Sequence, residues 1–184
     1  MSDDEAEGFR TALKRVAAVL KGSGVEFALA GGYAAWARGA PEAGHDVDFL
    51  VRGDDAAQVA SALEEAGLEV VAPPEDWLFK TRSDGVCVDL LHRSAGGDLD
   101  AVLAAAEELP VLSVRMPVMT ATDVVADKLC ALDEHYCDLA EVLPTLRALR
   151  EQVDWDAVRR RTAGRPFAEA TLFLLERLDV LRPV

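Results

Sequence analysis

The chain has 184 residues, which corresponds to one domain because domains usually have about 100–200 residues. Hydrophobic residues make up 51% of the chain and charged residues 28%, a composition that excludes intrinsic disorder. The formal net charge is -14, so the surface as a whole is expected to repel nucleic acid and anionic membranes. No apolar run approaches the roughly 20 residues of a membrane-spanning helix, and no membrane association is expected.

The charge is unevenly distributed along the chain. The segment from Leu143 to Val184 has eight basic and six acidic residues, whereas the preceding residues are strongly acidic. The basic residues of this segment include the run Arg159-Arg160-Arg161. This run indicates either a surface that binds the phosphates of an RNA or a set of solvated side chains at a helix end.

The termini and the cysteines indicate the cellular compartment. The acidic N-terminal residues lack the basic start and apolar stretch of a signal peptide, so we expect a cytoplasmic protein. Cys87, Cys130 and Cys137 form no C-x-x-C pair, which argues against a zinc site and a disulfide framework. Reduced thiols in the core are therefore predicted.

Hydrophobic periodicity and turn residues predict alternating helices and strands up to about residue 118. Predicted helices cover residues 4–21, 33–38, 56–66 and 98–109. Predicted strands cover residues 25–30, 46–51, 68–72, 77–82, 86–92 and 111–116. From residue 122 onward the pattern is helical, and Pro144 and Pro166 suit the first turns of helices.

These elements predict a mixed α/β (α+β) fold with a short mixed sheet flanked by helices. Residues 1–118 would form the core, and residues 119–184 would form a C-terminal helical part. Because that helical part is too small to bury a core of its own, we expect it to pack on the first part.

Two carboxylates come together in one predicted strand. Side chains alternate between the faces of a strand, so Asp46 and Asp48 point one way and Val47 and Phe49 point to the core. Such a pair is costly unless a cation lies between the carboxylates, because like charges disfavour joint ionisation. Magnesium, which prefers oxygen ligands and commonly combines carboxylates with substrate phosphates, is the expected ion.

A third carboxylate, Asp89, lies in the apolar stretch Val86–Leu91. An aspartate inside an apolar strand is rarely buried without a partner. If this strand lies beside the strand of Asp46 and Asp48, three carboxylates face one site and two metal ions are able to bind. The alternative is a strand-end residue that accepts a hydrogen bond from a loop amide.

Gly31 and Gly32 follow a predicted strand and precede a short helical stretch. Without Cβ atoms, two glycines let the backbone approach phosphate oxygens closely, and the first N–H groups of a following helix favour anions. Alone, the pair indicates no more than a turn. Thirteen residues separate it from Asp46, and the combination is more specific than either part.

The glycine pair, the Asp46-Val47-Asp48-Phe49 strand and Asp89 together resemble the pattern of the DNA polymerase β-like nucleotidyltransferases. The resemblance covers Val25 to His92. It implies a nucleotidyltransferase core in which Gly31 and Gly32 hold a triphosphate. Asp46 and Asp48 would bind Mg²⁺ (or Mn²⁺), and Asp89 would complete the metal site or act as a base.

The C-terminal stretch is similar, more loosely, to the helical segment of small bacterial AbiEii/MenT-type toxin nucleotidyltransferases. The similarity rests on Asp127-Lys128-Leu129 and Asp138-Leu139-Ala140. It implies that Lys128 neutralises phosphate charge and that Asp138 orients Lys128 or the base. Lys128 lies in a largely apolar stretch, where a lysine either extends its ammonium group to water or faces a buried anion.

Two further residues are candidates for nucleotide binding. Many members of the superfamily carry serine as the second residue of the glycine pair and have arginine and threonine before the first aspartate. This chain has Gly32 and the stretch Glu42-Ala43-Gly44-His45 at these places. His45 is either a replacement donor or a plain loop residue, and Lys80 either reaches the triphosphate or lies on a solvated face.

The resemblance implies transfer of an NMP from an NTP to an acceptor hydroxyl or phosphate, with release of pyrophosphate. A toxin-type enzyme would modify tRNA or a protein and would be paired with a cognate antitoxin. One alternative is an antibiotic nucleotidyltransferase of the aminoglycoside or lincosamide type, which takes a small polyol acceptor. The other is a nucleotide-binding module without catalytic activity.

Overall fold

The computed structural model describes residues 2–71, 73–74 and 76–181. It confirms the predicted mixed α/β architecture, since the described residues form one mixed sheet flanked by helices. Among these residues, no helix combines the length and the apolar character that a membrane crossing requires.

The helices are Asp3–Ser23 (α1), Gly31–Ala37 (α2), Ala56–Glu65 (α3), Leu99–Ala105 (α4), Ala121–Cys130 (α5), Leu139–Leu149 (α6), Trp155–Thr162 (α7) and Pro166–Arg177 (α8). The strands are Phe27–Ala30 (β1), Val47–Val51 (β2), Glu69–Val71 (β3), Leu78–Ser83 (β4), Val86–Leu91 (β5), Glu107–Val111 (β6) and Val114–Val118 (β7). Ala72, the last residue of the predicted strand 68–72, lies outside the described residues.

The strand order in the sheet is β3-β4-β5-β2-β1-β7-β6. The pairs β2–β5 and β1–β7 are parallel, and the remaining neighbours are antiparallel. The central strands β1, β2 and β5 are predominantly apolar, and β1 is buried throughout. On β5 the buried residues alternate with half-buried ones, so one face of the sheet is more open there.

Helix α1 begins with a capping box between Ser2 and Glu5 and packs across β5, β7 and β4 and against α3. Its buried face includes Leu13, Val16 and Leu20. Helix α5 packs on α2 and against the three helices that follow it. The apolar side chains of α5 to α8 join the same hydrophobic cluster as those of the sheet.

This packing agrees with the expectation that the helical part needs the core to bury its apolar residues. A division into domains at residues 118 and 119 remains a prediction. The outermost residues of the two predicted parts, Met1 and 182–184, lie outside the described residues.

The prediction was wrong between residues 106 and 113. The helix predicted over 98–109 ends at Ala105, and Glu107–Val111 forms the edge strand β6, in which Pro110 is tolerated. A hairpin connects β6 to β7 through Leu112 and Ser113, whose φ angles are 49° and 69°. Such turns usually contain glycine or asparagine, so the sequence carried no hairpin signal.

The prediction for Pro144 was also wrong. The residue lies inside α6 rather than in its first turn, whereas Pro166 is the first residue of α8, as predicted. Helix α5 ends at Cys130, and α6 begins at Leu139. The segment between them brings the start of α6 close to the residues that precede β2.

Candidate functional site

Three charged residues lie in a row across neighbouring strands. Asp48 on β2 is directly opposite Asp89 on β5, and Asp89 is opposite Lys80 on β4. Residues in register on adjacent strands place their side chains on one face of the sheet. The predicted adjacency of the two aspartate-bearing strands is confirmed, and Asp46 lies just before β2.

Asp89 is held by Lys80. The Lys80 ammonium Nζ lies 2.9 Å from Oδ1 and 2.8 Å from Oδ2 of Asp89. Hydrogen bonding to Asp89 raises the pKa of Lys80, so the ammonium form of Lys80 is favoured. The sequence left the role of Lys80 open between the triphosphate and a solvated face, and in the structure its contact is with the candidate base.

Asp46 is linked to the C-terminal helices through His45. The His45 Nδ1 atom lies 2.6 Å from Asp46 Oδ1, and its Nε2 atom lies 2.8 Å from Glu141 Oε1 at the start of α6. The hydrogen bond with Glu141, followed by the influence of Asp46, raises the pKa of His45. His45 is therefore fixed by two carboxylates although much of its ring is exposed.

Asp48 lies between the other two carboxylates. Its removal from water, followed by the charges of Asp46 and Asp89, raises the pKa of Asp48 to about 7. Lys128 and His45 counteract this increase only in part. The site thus holds more negative charge than its own cations balance.

This charge suits a divalent cation that is completed by substrate. In the described part of the chain, no three His, Cys, Asp or Glu side chains form a ready-made metal cage. The cysteines are free thiols, but the prediction that they lie in the core holds for Cys130 and is wrong for Cys137, which is exposed, while Cys87 is half-buried. Magnesium typically binds one or two carboxylates together with waters and substrate phosphates, and its binding by Asp46, Asp48 and Asp89 remains a prediction.

Close packing explains why glycine occupies both positions 31 and 32. Gly31 has a φ angle of 58°, and a Cβ atom there would overlap the carboxylate of Asp48. A Cβ atom on Gly32 would lie 2.5 Å from the Cβ atom of Ala43, so a serine would require a shift of the loop. The two glycines let the start of α2 lie directly against Asp48 and the preceding loop, while phosphate binding by them remains a prediction.

Lys128 on α5 lies between two cavities. One, of about 650 Å³, is also lined by Gly31, and the other, of about 290 Å³, is also lined by Gly32 and His45. Among the described residues, Lys128 has no hydrogen bond or ion pair, although its charge lowers the pKa of Asp48. Its ammonium group is thus available to an anion beside the carboxylates.

The neighbouring Asp127 positions a loop rather than a ligand. Its Oδ1 atom accepts hydrogen bonds from Ser94 Oγ at 2.7 Å and from the backbone N–H of Gly96 at 2.6 Å. A Cβ atom on Gly96 would lie 2.7 Å from the backbone of Ala126, so the loop after β5 lies directly on α5. This contact fixes one wall of the larger cavity.

Asp138 and the arginine run have structural contacts. Asp138 is the N-cap of α6 and accepts hydrogen bonds from the N–H groups of Ala140 and Glu141. Among the described residues, it makes no hydrogen bond or ion pair with Lys128. Arg159 pairs with Glu176 at 2.9 Å and Arg161 with Asp123 at 2.5 Å, so two arginines of the run contact carboxylates.

Sequence reasoning missed Glu141, Trp77 and Arg93. The contact between Glu141 and His45 joins residues 96 positions apart, and nothing local in the sequence indicates it. Trp77 and Arg93 flank the β4–β5 hairpin, and the Arg93 guanidinium lies 5.2 Å from the centre of the Trp77 ring. The sequence signal that could have identified Trp77 and Arg93 is their position at the two ends of the predicted hairpin.

Comparison with known proteins identifies a family for the chain. The family described as uncharacterised nucleotidyltransferases matches residues 2–184 of the chain. No curated protein matches the sequence.

Several solved structures share the fold. The solution structure of the antibiotic-resistance factor ANT(2'')-Ia has a TM-score of 0.65 and 13% identity, covering 92% of this chain and 97% of that one. A putative nucleotidyltransferase from H. pylori has a TM-score of 0.56 and 17% identity, covering 100% and 86% of the two chains. The lincomycin-bound lincosamide adenylyltransferase LnuA has a TM-score of 0.53 and 13% identity, covering 73% and 92%.

The raised pKa of Asp48 predicts a dependence of stability on pH. In metal-free buffer the folded state keeps this proton up to about pH 7, whereas the unfolded chain releases it near pH 4, so stability falls as pH rises through this window. The substitution Asp48→Asn should remove that loss and raise the free energy of unfolding at pH 8 by about 1–3 kcal/mol. Urea unfolding in EDTA at several pH values measures the difference, and a variant no more stable than wild type at pH 8 would contradict this electrostatic account.

The contact between Gly31 and Asp48 predicts an energetic coupling. Gly31→Ala should destabilise the protein more than Gly85→Ala, because both positions have positive φ but only Gly31 faces a carboxylate. Asp48→Ala removes the two atoms nearest to the new methyl group. The double variant should therefore lose about 1–3 kcal/mol less than the sum of the single losses, measured by urea unfolding, whereas additive losses would show that the two residues do not touch.

Proposed function

We propose, since the chain belongs to the family of uncharacterised nucleotidyltransferases, that it transfers an NMP from an NTP to an acceptor hydroxyl or phosphate and releases pyrophosphate. The observation that carries the proposal is the register of Asp48 with Asp89, with Gly31 packed against Asp48. This arrangement sets two carboxylates and a closely approachable backbone around one point.

A divalent ion, Mg²⁺ or Mn²⁺, is proposed at the carboxylates Asp46, Asp48 and Asp89. When bound, it would offset the negative charge of the phosphate oxygens and of the attacking and leaving oxygens. The raised pKa of Asp48 gives this binding a cost at low pH, because the carboxyl must release its proton first.

The nucleotide would be oriented by residues on two elements. Lys128 extends from α5 towards the carboxylates and is proposed to pair with phosphate oxygens, for which it has no competing ion pair among the described residues. The backbone at Gly31 and Gly32 would lie under the triphosphate. His45 is proposed as a neighbouring donor, with its ring held by Glu141 and Asp46.

Asp89 is proposed to accept the proton of the acceptor. A base must be positioned to reach the proton it accepts, and Lys80 holds both carboxylate oxygens of Asp89 through two hydrogen bonds. Lys80 thus assists the reaction by positioning Asp89 rather than by contacting the triphosphate. Asp138, as the cap of α6, would act through the position of the helix that carries Glu141.

Two classes of acceptor are compatible with this site. If the protein is a toxin-type enzyme, its acceptor is tRNA or a protein, and a cognate antitoxin is its partner. The second candidate is an amine-bearing polyol of the kind found in aminoglycosides. It is favoured by a groove of about 880 Å³ that reaches His45 and Cys87 and is lined by Asp4, Glu5 and Asp84. Such a surface attracts a small cation and repels RNA phosphates.

Label transfer tests the proposal. Each of four α-labelled NTPs is incubated with purified protein and Mg²⁺ in the presence of total RNA, total protein or a panel of amine-bearing polyols. We expect one class to become labelled, and we expect Asp48→Asn to abolish the transfer because a ligand of the cation is lost. Binding of an NTP by the folded protein without any transfer would instead favour the nucleotide-binding module.

Lys128 is tested separately. Lys128→Met should keep the fold, because methionine follows the same apolar path, and should weaken NTP binding by about 1.5–3 kcal/mol, the range for a charge-assisted hydrogen bond. Lys14→Met, on the exposed side of α1, is the matched control and should leave NTP affinity unchanged. An unaltered affinity in Lys128→Met would remove this residue from the nucleotide site.

A further inference from the structure

The larger cavity beside α5 is lined by more basic than acidic side chains. Its volume is about 650 Å³, and it extends from Gly31 along Lys128 to Trp77 and Arg93, with Arg165 on the side of α8. Three of its side chains are cations in a chain with a net charge of -14. A cavity of this size falls within the range for small-molecule and cofactor sites.

The acidic side chains of the cavity are engaged in local hydrogen bonds. Asp127 accepts hydrogen bonds from Ser94 and Gly96, and Asp133 accepts them from the backbone N–H groups of His135 and Tyr136. Lys128 and Arg93, by contrast, form no ion pair within the described ranges 2–71, 73–74 and 76–181. The free charge that the cavity offers to a ligand is therefore positive.

The outer end of the cavity carries a planar platform. The guanidinium carbon of Arg93 lies 5.2 Å from the centre of the Trp77 ring, so a flat cation covers a flat indole. Leu91 and Val124 line the adjoining wall. Nucleic-acid bases stack on aromatic rings and on guanidinium planes of this kind.

The inner end of the cavity is the end that suits the phosphate groups of a ligand. Gly31, which lines this end, lies against Asp48, and Lys128 interacts with the charge of Asp48, so this end lies beside the proposed cation site. A ligand with a flat group at one end and several negative charges at the other matches the cavity in both charge and shape. A nucleoside triphosphate has these features.

We infer that Trp77 and Arg93 form the platform for the base of the donor nucleotide, whose phosphates extend past Lys128 to the carboxylates. The inference rests on the function proposed above and adds the place and orientation of the nucleotide. Trp77 and Arg93 stabilise the bound nucleotide through its base and leave the phosphates to Lys128. The acceptor then approaches from the opposite side, where His45 and Cys87 line the acidic groove.

Binding measurements with and without a base test the inference. Affinities for an NTP and for inorganic tripolyphosphate, each with Mg²⁺, are measured by calorimetry for wild type, Trp77→Ala, Trp77→Phe and Arg93→Lys. Trp77→Ala should weaken NTP binding about 5- to 100-fold, the range for loss of a stacked base, and leave tripolyphosphate affinity within about twofold. Trp77→Phe should lose less NTP affinity than Trp77→Ala, because phenylalanine keeps an aromatic ring.

The Arg93→Lys variant separates shape from charge. It keeps the positive charge but loses the guanidinium plane, so NTP affinity should fall about 5-fold or more while tripolyphosphate affinity is retained. Arg147→Lys, at an exposed position on α6 outside the cavity, is the matched control and should change neither affinity. NTP should also quench tryptophan fluorescence in wild type and not in Trp77→Phe.

The outcomes distinguish this inference from the proposed function. Unchanged NTP affinity in both Trp77→Phe and Arg93→Lys would overturn the platform and leave the proposed function intact. Normal NTP affinity of these two variants, together with loss of label transfer to RNA, would also overturn the inference, because the platform would then bind a base of the acceptor. A wild-type protein that binds neither NTP nor tripolyphosphate would overturn the proposed function itself.

Discussion

The repulsion between neighbouring carboxylates is the constraint around which the site is built. Parallel pairing of β2 with β5 sets Asp48 directly beside Asp89, and Asp46 lies two residues before Asp48, just ahead of β2. Burial and these charges together raise the pKa of Asp48 to about 7. Such an arrangement costs folding free energy, and a fold retains it only when the rest of the structure holds the strands in register.

The surrounding residues balance this charge from different elements without neutralising it. Lys80 on β4 pairs with Asp89, His45 pairs with Asp46 and joins it to Glu141 on α6, and Lys128 on α5 acts from across the cavity. The C-terminal helices therefore do more than cover the sheet, since they carry one cation towards the site and fix another. The negative charge of the carboxylates is what an incoming cation would balance, and that cation would in turn pair with the phosphates of the nucleotide.

The alternation of residues in strands made the carboxylates of the site predictable. Asp46-Val47-Asp48-Phe49 and the isolated Asp89 in an apolar stretch are local patterns, and the register of β2 with β5 confirmed their adjacency. The contacts of Lys80 and His45 were not predictable, because they depend on strand pairing and on a helix far along the chain. For the same reason the β6–β7 hairpin was missed, since strand pairing imposes a turn that Leu112 and Ser113 do not favour on their own.

The central claim is that the carboxylates bind a divalent cation together with a nucleotide. Electron paramagnetic resonance of Mn²⁺ measures this directly, by counting bound ions with and without a non-hydrolysable NTP. The account predicts that the NTP tightens Mn²⁺ binding by at least about tenfold in wild type and that Asp48→Asn abolishes this coupling. Equal coupling in wild type and Asp48→Asn would contradict it.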